Sequence, residues 1–153
     1  MRKSLTLGLA LCLAVALPAF AQTATPAKPL PERKDVVSWK TFAQVQMTRA
    51  GDRVQPQFAA PVTALDQKNV KVQGFMLPLD VGEKHALFVL SAVPPTCAFC
   101  MPGGPEAVVE VRAKRPLAYT DDAVTMTGTL SVLKDDPTGI FYRLTDAVPA
   151  ARE

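Results

Sequence analysis

The chain has 153 residues, 20% charged side chains and a formal net charge of +3, and this length is sufficient for one globular domain. Lysine and arginine form no basic stripe, which excludes a surface for nucleic acid or for an anionic membrane. The basic excess belongs mostly to the N-terminus, because 15 of the 17 lysines and arginines remain against 14 acidic residues once Arg2 and Lys3 are set aside.

The N-terminus has the order of features that is typical of a secretory signal peptide. Arg2 and Lys3 precede the apolar run LTLGLALCLAVAL, and the small-residue pattern AFA follows at 19–21. The apolar run is shorter than the roughly 20 residues of a membrane-spanning helix. We therefore predict a signal peptide over residues 1–21, removed together with Cys12, and a soluble periplasmic protein that does not span the membrane.

A tail and an entry segment precede the predicted strands. Residues 22–35, QTATPAKPLPERKD, are rich in proline, alanine and charge, and this composition predicts a flexible tail. A single β domain is predicted over residues 36–150. At its start, in VVSWKTFAQVQM, Trp39 and Phe42 have helical spacing while Val37 and Trp39 also fit a strand, so we predict a short helix or an irregular segment. Trp39 is predicted to anchor the core.

Beyond residue 65 the apolar period becomes two, as in β-strands. The clearest strand is AVTMTGTLSV, whose apolar face alternates with threonine and serine and consists of Val124, Met126, Gly128, Leu130 and Val132. Four further strands are predicted: VKVQGFMLPL from Val70, HALFVLSA from His85, AVVEVRAK from Ala107 and GIFYRLTDA from Gly139. The turn KDDPTG joins AVTMTGTLSV to GIFYRLTDA as a hairpin, and Pro78 favours a strand end or edge. The predicted fold is mostly β: a small antiparallel barrel or sandwich, OB-like, with five to six strands and little helix.

The stretch VPPTCAFCMPGGPEAVVEV places Cys97 and Cys100 in a loop between two predicted strands. A c-type haem attachment would need histidine directly after the second cysteine, where this chain has Met101. A thioredoxin-like site would need the cysteines at the start of a helix, and the prolines and glycines that follow predict none. A thiol-disulfide role is therefore disfavoured, and a disulfide and a metal site remain as the other two interpretations.

An oxidising compartment favours a disulfide between Cys97 and Cys100, although closing so small a ring contributes only about 2 kcal/mol. A metal site is the other interpretation, because two thiolates suit Cu(I) or Zn(II), and Met101 is the next candidate ligand. Met76 is a more distant candidate whose ordinary role is core packing. His85 is predicted to be a surface residue rather than a ligand.

The sequence contains no recognisable pattern of an enzyme. It has no Ser/His/Asp arrangement of known context, no glycine-rich phosphate loop after a strand and no second cysteine pair. The acidic pairs Asp121-Asp122 and Asp135-Asp136 are predicted to be solvated turn residues. Because only one histidine follows the signal peptide, general-base chemistry near neutral pH has few candidates. We predict that the protein is not an enzyme.

The segments VQGFMLPLD, HALFVLSA, CAFCMPGGPEAVVEV and VTMTGTLSV with GIFYRLTDA, in this order, resemble a bacterial family of small exported proteins, domain of unknown function 3299, over roughly residues 37–147. The matching residues are Gly74, Pro78, Leu79, Phe88, Leu90, Cys97, Thr127, Gly128 and Leu130. The chain departs from the family at Phe99, where many relatives have histidine, and Cys100 follows at once. Replacing a Cys/His pair by Cys/Cys keeps two metal ligands and also allows a disulfide. The resemblance implies an exported accessory or binding protein that acts beside a periplasmic protein or a membrane transport complex.

These expectations combine into one functional prediction. The chain is expected to be an exported, non-catalytic binding protein in which Cys97, Cys100 and Met101 hold a soft metal ion, copper or zinc. A Cys97–Cys100 disulfide would be its metal-free form. The alternatives are a periplasmic thiol-disulfide partner and a structural protein-interaction module with a loop disulfide.

Overall fold

Strands form most of the structure, a computed structural model that describes residues 30–95 and 103–150. The strands are β1 (Val45–Ala50), β2 (Arg53–Phe58), β3 (Lys68–Pro78), β4 (Lys84–Ser91), β5 (Val108–Ala118), β6 (Val124–Val132) and β7 (Tyr142–Pro149). Two short helices, α1 (Trp39–Phe42) and α2 (Ala60–Thr63), and one 3₁₀ turn, Pro105–Ala107, accompany them. No helix within these described ranges is long and apolar enough to cross a membrane.

Five strands close into a barrel in the order β3-β4-β5-β7-β6, and β6 pairs back with β3. Every pairing in the barrel is antiparallel except that of β5 with β7, where Glu110 lies beside Arg143 in parallel register. The prediction of a mostly β, OB-like barrel is confirmed, and the barrel rather than the sandwich is the form observed. All five predicted strands are present, and Pro78 ends β3 as predicted.

The burial of alternate residues along β6 follows the alternation of apolar and polar residues in its sequence. Met126, Gly128 and Leu130 are buried, and the intervening threonines are only partly so. β7 returns antiparallel to β6 through the predicted hairpin. At Gly128 the two strands approach so closely that a Cβ atom would lie 2.6 Å from the backbone oxygen of Thr145, so only glycine fits without displacing β7.

An aromatic cluster joins α1 to the barrel core. Phe42 and Tyr142 are fully buried with ring centroids 4.6 Å apart, and the Tyr142 hydroxyl donates a hydrogen bond of 2.6 Å to the Phe42 carbonyl. Burial raises the pKa of Tyr142, which keeps this hydroxyl a donor. Trp39 packs against the same cluster, and its Nε1–H donates to the Gln73 carbonyl at 2.8 Å. The prediction that Trp39 anchors the core is confirmed.

The hairpin of β1 and β2 was not predicted. The short helix expected in VVSWKTFAQVQM is present as α1, and the last residues of that segment, VQM, begin β1, a strand that was not predicted. At the base of the hairpin, Val45 packs against the core and Phe58 is buried in it. Farther out, Met47 and Val54 are 56% and 57% exposed. The hairpin is thus attached to the barrel at its base, and its outer part lies beside the turn between β6 and β7, where Arg53 Nη1 is 3.7 Å from Asp135 Oδ2.

Candidate functional site

The cysteine loop, residues 92–107, joins β4 to β5 as the sequence predicted. Its candidate ligands, Cys97, Cys100 and Met101, lie outside the described residues. Both ends of the loop are described, and they show how the barrel holds it.

The two ends of the cysteine loop are fastened to each other. Ser91 and Val108 are paired in the β4–β5 ladder, and just beyond them the Ala92 N–H donates to the Ala107 carbonyl over 3.4 Å. Gly103 has a φ of +118°, and a Cβ atom there would meet the Ala107 Cβ at 2.8 Å. Its positive φ and this close contact both require glycine at position 103, near the end of the loop. The loop is therefore closed at its base by backbone contacts.

Two cavities lie beside the start of the loop, residues 92–95. Pro95 lines a cavity of about 360 Å³ with Met76, Leu77, Pro78 and Tyr119. Because Tyr119 directly follows β5, this cavity lies toward the end of β5 and not beside its start, where the loop is anchored. Pro95 therefore lies close to the end of β3 and to the residue that follows β5.

The second cavity, of about 240 Å³, borders Ala92 and is lined also by Trp39 and Gln73. The side-chain oxygen Oε1 of Gln73 is buried and has no hydrogen-bond partner among the described atoms. A buried carbonyl in this condition costs about 1–3 kcal/mol unless water or another donor reaches it. This cavity, like the first, is directly adjacent to the loop that carries the thiols.

The two further residues considered as ligands have different outcomes. Met76 is almost wholly buried in the barrel core, which confirms its predicted packing role. The prediction that His85 lies on the surface was wrong, because its side chain is buried. A β-bulge between His85 and Leu87 places His85 opposite Leu117, which packs against the core. The polar residues that precede His85 in the sequence therefore do not indicate whether its ring is exposed or buried.

The Asp80 carboxylate forms hydrogen bonds both to the His85 side chain and to the backbone at the start of β4. Its Oδ1 lies 2.6 Å from His85 Nδ1, and its Oδ2 accepts from the N–H groups of Ala86 and Leu87 at 3.1 and 3.3 Å. The His85 hydrogen bond is the main reason that the pKa of Asp80 is below its usual value; burial opposes it, and the backbone N–H groups assist it. A carboxylate bound to Nδ1 orients the ring and leaves Nε2 as the second ring nitrogen, an arrangement common to metal-binding and catalytic histidines.

A buried ion-pair network connects β5, β7 and the turn before β7. Glu110 accepts hydrogen bonds from Arg112 and Arg143, and Arg143 also donates to Asp136 at 3.0 Å. Burial alone would raise the pKa of Glu110, but the hydrogen bonds from Arg143 and Arg112 outweigh it and the pKa is lowered. Each carboxylate is ionised and paired, so the network suits holding strands together better than proton transfer.

Asp136 corrects a prediction about the acidic pairs. Asp121, Asp122 and Asp135 are exposed, as predicted for turn residues. The Asp136 side chain is instead only 10% exposed because it pairs with Arg143. The sequence does contain a signal for this network: Glu110 interrupts the apolar run of AVVEV, and charged residues in such runs are rarely buried unless they are paired.

Comparison with known proteins relates most of the chain to one family model. The family described as Protein of unknown function (DUF3299) matches residues 21–143. Among solved structures, the chain is similar to the crystal structure of a DUF3299 family protein from Pseudomonas aeruginosa PAO1, with a TM-score of 0.48 and 20% sequence identity. The similarity covers 64% of this chain and 69% of that one. No curated protein gives a significant match.

Proposed function

The chain belongs to the DUF3299 family, and from this premise we propose that it is an exported, non-catalytic binding protein of the periplasm that captures a soft metal ion in its cysteine loop. Cys97 and Cys100 supply two thiolates and Met101 a thioether, a set that suits Cu(I) and, with a further ligand, Zn(II). In the absence of metal and reductant the two thiols form a disulfide.

The observation that carries the proposal is the closure of the loop at its base. The contact of Ala92 with Ala107, together with the pairing of Ser91 with Val108, holds both ends of the loop to adjacent strands. A loop with fixed ends has less conformational entropy to lose when it closes around an ion than an open chain has. This favours capture of an ion by two thiols that lie three positions apart.

The residues that follow the loop favour metal capture over thiol-disulfide catalysis. The described chain passes from the 3₁₀ turn Pro105–Ala107 directly into β5 at Val108. Low thiol pKa values in thioredoxin-like sites depend on the N-terminus of an α-helix at the cysteines. Within residues 103–150 no such helix follows the loop. The proposed ligands all belong to the loop itself. In the described ranges, no three histidine, aspartate, glutamate or cysteine side chains are grouped as a metal site.

Metal titration under reducing, anaerobic conditions tests the proposal. Cu(I) is delivered against a competing chromophoric chelator and Zn(II) against a second one. We expect stoichiometric uptake that is abolished by the double change Cys97→Ser and Cys100→Ser. Met101→Leu is expected to weaken Cu(I) binding more than Zn(II) binding, because a thioether is a soft ligand. Phe99→Leu, a change in the same loop that removes no ligand, is the matched control.

Two outcomes would contradict the proposal. One is the absence of stoichiometric uptake by the reduced protein, and the other is uptake that is unchanged in the double cysteine variant. If no metal binds, the reduction potential of the Cys97–Cys100 pair distinguishes the alternatives. A value below about −300 mV indicates a structural disulfide, and a higher value indicates a thiol-disulfide partner.

A further inference from the structure

The two-stranded sheet of β1 and β2 packs on the barrel but is not hydrogen-bonded into its closed sheet. Within the described residues β1 pairs only with β2, and neither strand joins the closed sheet. The outer edge of such a strand presents N–H and C=O groups that can pair with another strand, and proteins commonly block or cover them. The two outer edges of this hairpin differ in whether they are blocked.

The register determines which backbone groups point outward. The Ala59 N–H donates to the Gln44 carbonyl at 3.0 Å, so hydrogen-bonded pairs alternate along the ladder from that pair. Met47 and Pro56 therefore form a non-hydrogen-bonded pair, which suits a proline without an N–H. By the same alternation, the N–H and C=O groups of Met47 and Arg49 point away from β2.

Only the β1 edge can accept a strand along its length. On the β2 edge the outward position at Pro56 has no N–H, and this interrupts any further ladder. The β1 edge has no proline, and Met47 and Arg49 each offer a donor and an acceptor. At its inner end, the Val45 N–H already donates to the Ala43 carbonyl at 2.9 Å, which leaves the Val45 carbonyl as an acceptor.

We propose that the β1 edge pairs antiparallel with the β1 edge of a second copy of this chain, forming a four-stranded sheet about a two-fold axis at Met47. The two Met47 residues exchange N–H···O=C hydrogen bonds with each other. Each Arg49 N–H donates to the Val45 carbonyl of the other copy, so the acceptor left free at Val45 is used. Such an interface is isologous, with the same surface on both partners.

The side chains along β1 are complementary to themselves in this register. Arg49 lies opposite Val45 of the other copy, so two like charges do not face each other. Gln46 lies opposite Thr48 on the other face, where both are uncharged and can share hydrogen bonds. Met47, 56% exposed in the single chain, packs against its own copy and loses apolar surface to solvent. These features favour a second copy over an unrelated strand as the occupant.

Sedimentation velocity of the purified protein tests the proposal, with a reductant present so that intermolecular disulfides do not contribute. We expect a dimer whose fraction rises with protein concentration. Met47→Pro removes the outward N–H at the centre of the edge without touching the bonds to β2, and it should give a monomer. Val54→Pro is the matched control: Val54 is equally exposed and its N–H also points outward, but on the β2 edge, so the dimer should persist.

A charge-swap experiment tests the two-fold axis itself and remains decisive if Met47→Pro fails to fold. Met47→Glu and Met47→Lys should each be monomeric, because residue 47 faces its own copy, and mixing the two should restore a dimer. The proposal is overturned if the wild-type protein is monomeric at high concentration. It is also overturned if folded Met47→Pro stays dimeric, if folded Val54→Pro is monomeric, or if the mixture forms no heterodimer.

Discussion

Replacing Arg143 by methionine removes the guanidinium that lies between Glu110 and Asp136. The arginine donates to Asp136 at 3.0 Å, and the Glu110 and Arg143 side chains are only 7% and 18% exposed. Breaking a buried pair from one side costs about 3–5 kcal/mol. Because Arg112 continues to donate to Glu110 at 2.9 Å and methionine retains much of the packing, we expect a loss of about 2–3 kcal/mol in the free energy of unfolding at pH 7.

The same variant should have a characteristic dependence on pH. In the wild type the pKa values of Glu110 and Asp136 are lowered, so their contribution to stability is present above the unfolded pKa of about 4 and is lost as the pH falls through the folded values. Without Arg143, only Arg112 continues to lower the pKa of Glu110 against burial, so this pKa lies higher than in the wild type. The variant therefore has less of this contribution to lose, and its stability difference from the wild type should shrink as the pH falls below about 4.

Urea unfolding followed by the fluorescence of Trp39 measures both effects. Arg112→Met is the control, because that side chain is 57% exposed and its loss should cost less than about 1 kcal/mol. Adding Glu110→Gln to Arg143→Met should recover part of the stability at pH 7. The reasoning is refuted if Arg143→Met costs no more than Arg112→Met, or if its cost is the same at pH 7 and at about pH 3.

Two further predictions concern other parts of the barrel. Gly128→Ala should lower the free energy of unfolding by about 1–3 kcal/mol, since its Cβ atom would lie 2.6 Å from the Thr145 oxygen and 3.1 Å from the Ala147 Cα; a urea titration unchanged from the wild type would contradict the close approach of β6 and β7. Asp80→Asn should flatten the loss of stability below about pH 4, because the pKa of Asp80 is lowered chiefly by His85 and its contribution is lost as the pH falls; a thermal-melt pH profile with unchanged slope would show that the pair does not contribute.

The barrel strands were predictable because each is either an alternating apolar pattern, as in β6, or a short apolar run, as in β4 and β5. In β6 the alternation is nearly unbroken, and the buried residues are those that the pattern indicated. The β1–β2 hairpin has the same period, with Met47 opposite Pro56, but its outer half is exposed and carries few apolar residues. Because this segment has few apolar residues and a proline in its second strand, its sequence did not predict a hairpin.

The surroundings of the candidate site were less predictable because they depend on contacts distant in sequence. His85 is buried where it lies opposite Leu117 beside a register shift between β4 and β5, and the local sequence does not encode that shift. The Asp136 side chain is largely shielded from solvent beside Arg143, although its own neighbours are typical of a turn. The position of the cysteine loop between β4 and β5 was predictable, because it needed only the two strands that flank it.

The parallel pairing of β5 with β7 also has a consequence for when the molecule can fold. β7 lies between β5 and β6 and is the last strand in the chain, so the closed sheet cannot form until residues up to Pro149 are free to pair. The hydroxyl of Tyr142 reaches back to Phe42 across 100 positions of sequence, so the core is completed at the same late stage. A chain that crosses a membrane N-terminus first would therefore remain unfolded during translocation and fold only after residues up to Pro149 have emerged. Non-local closure of this kind is slow, which lengthens the interval in which such a chain remains unfolded enough to be threaded.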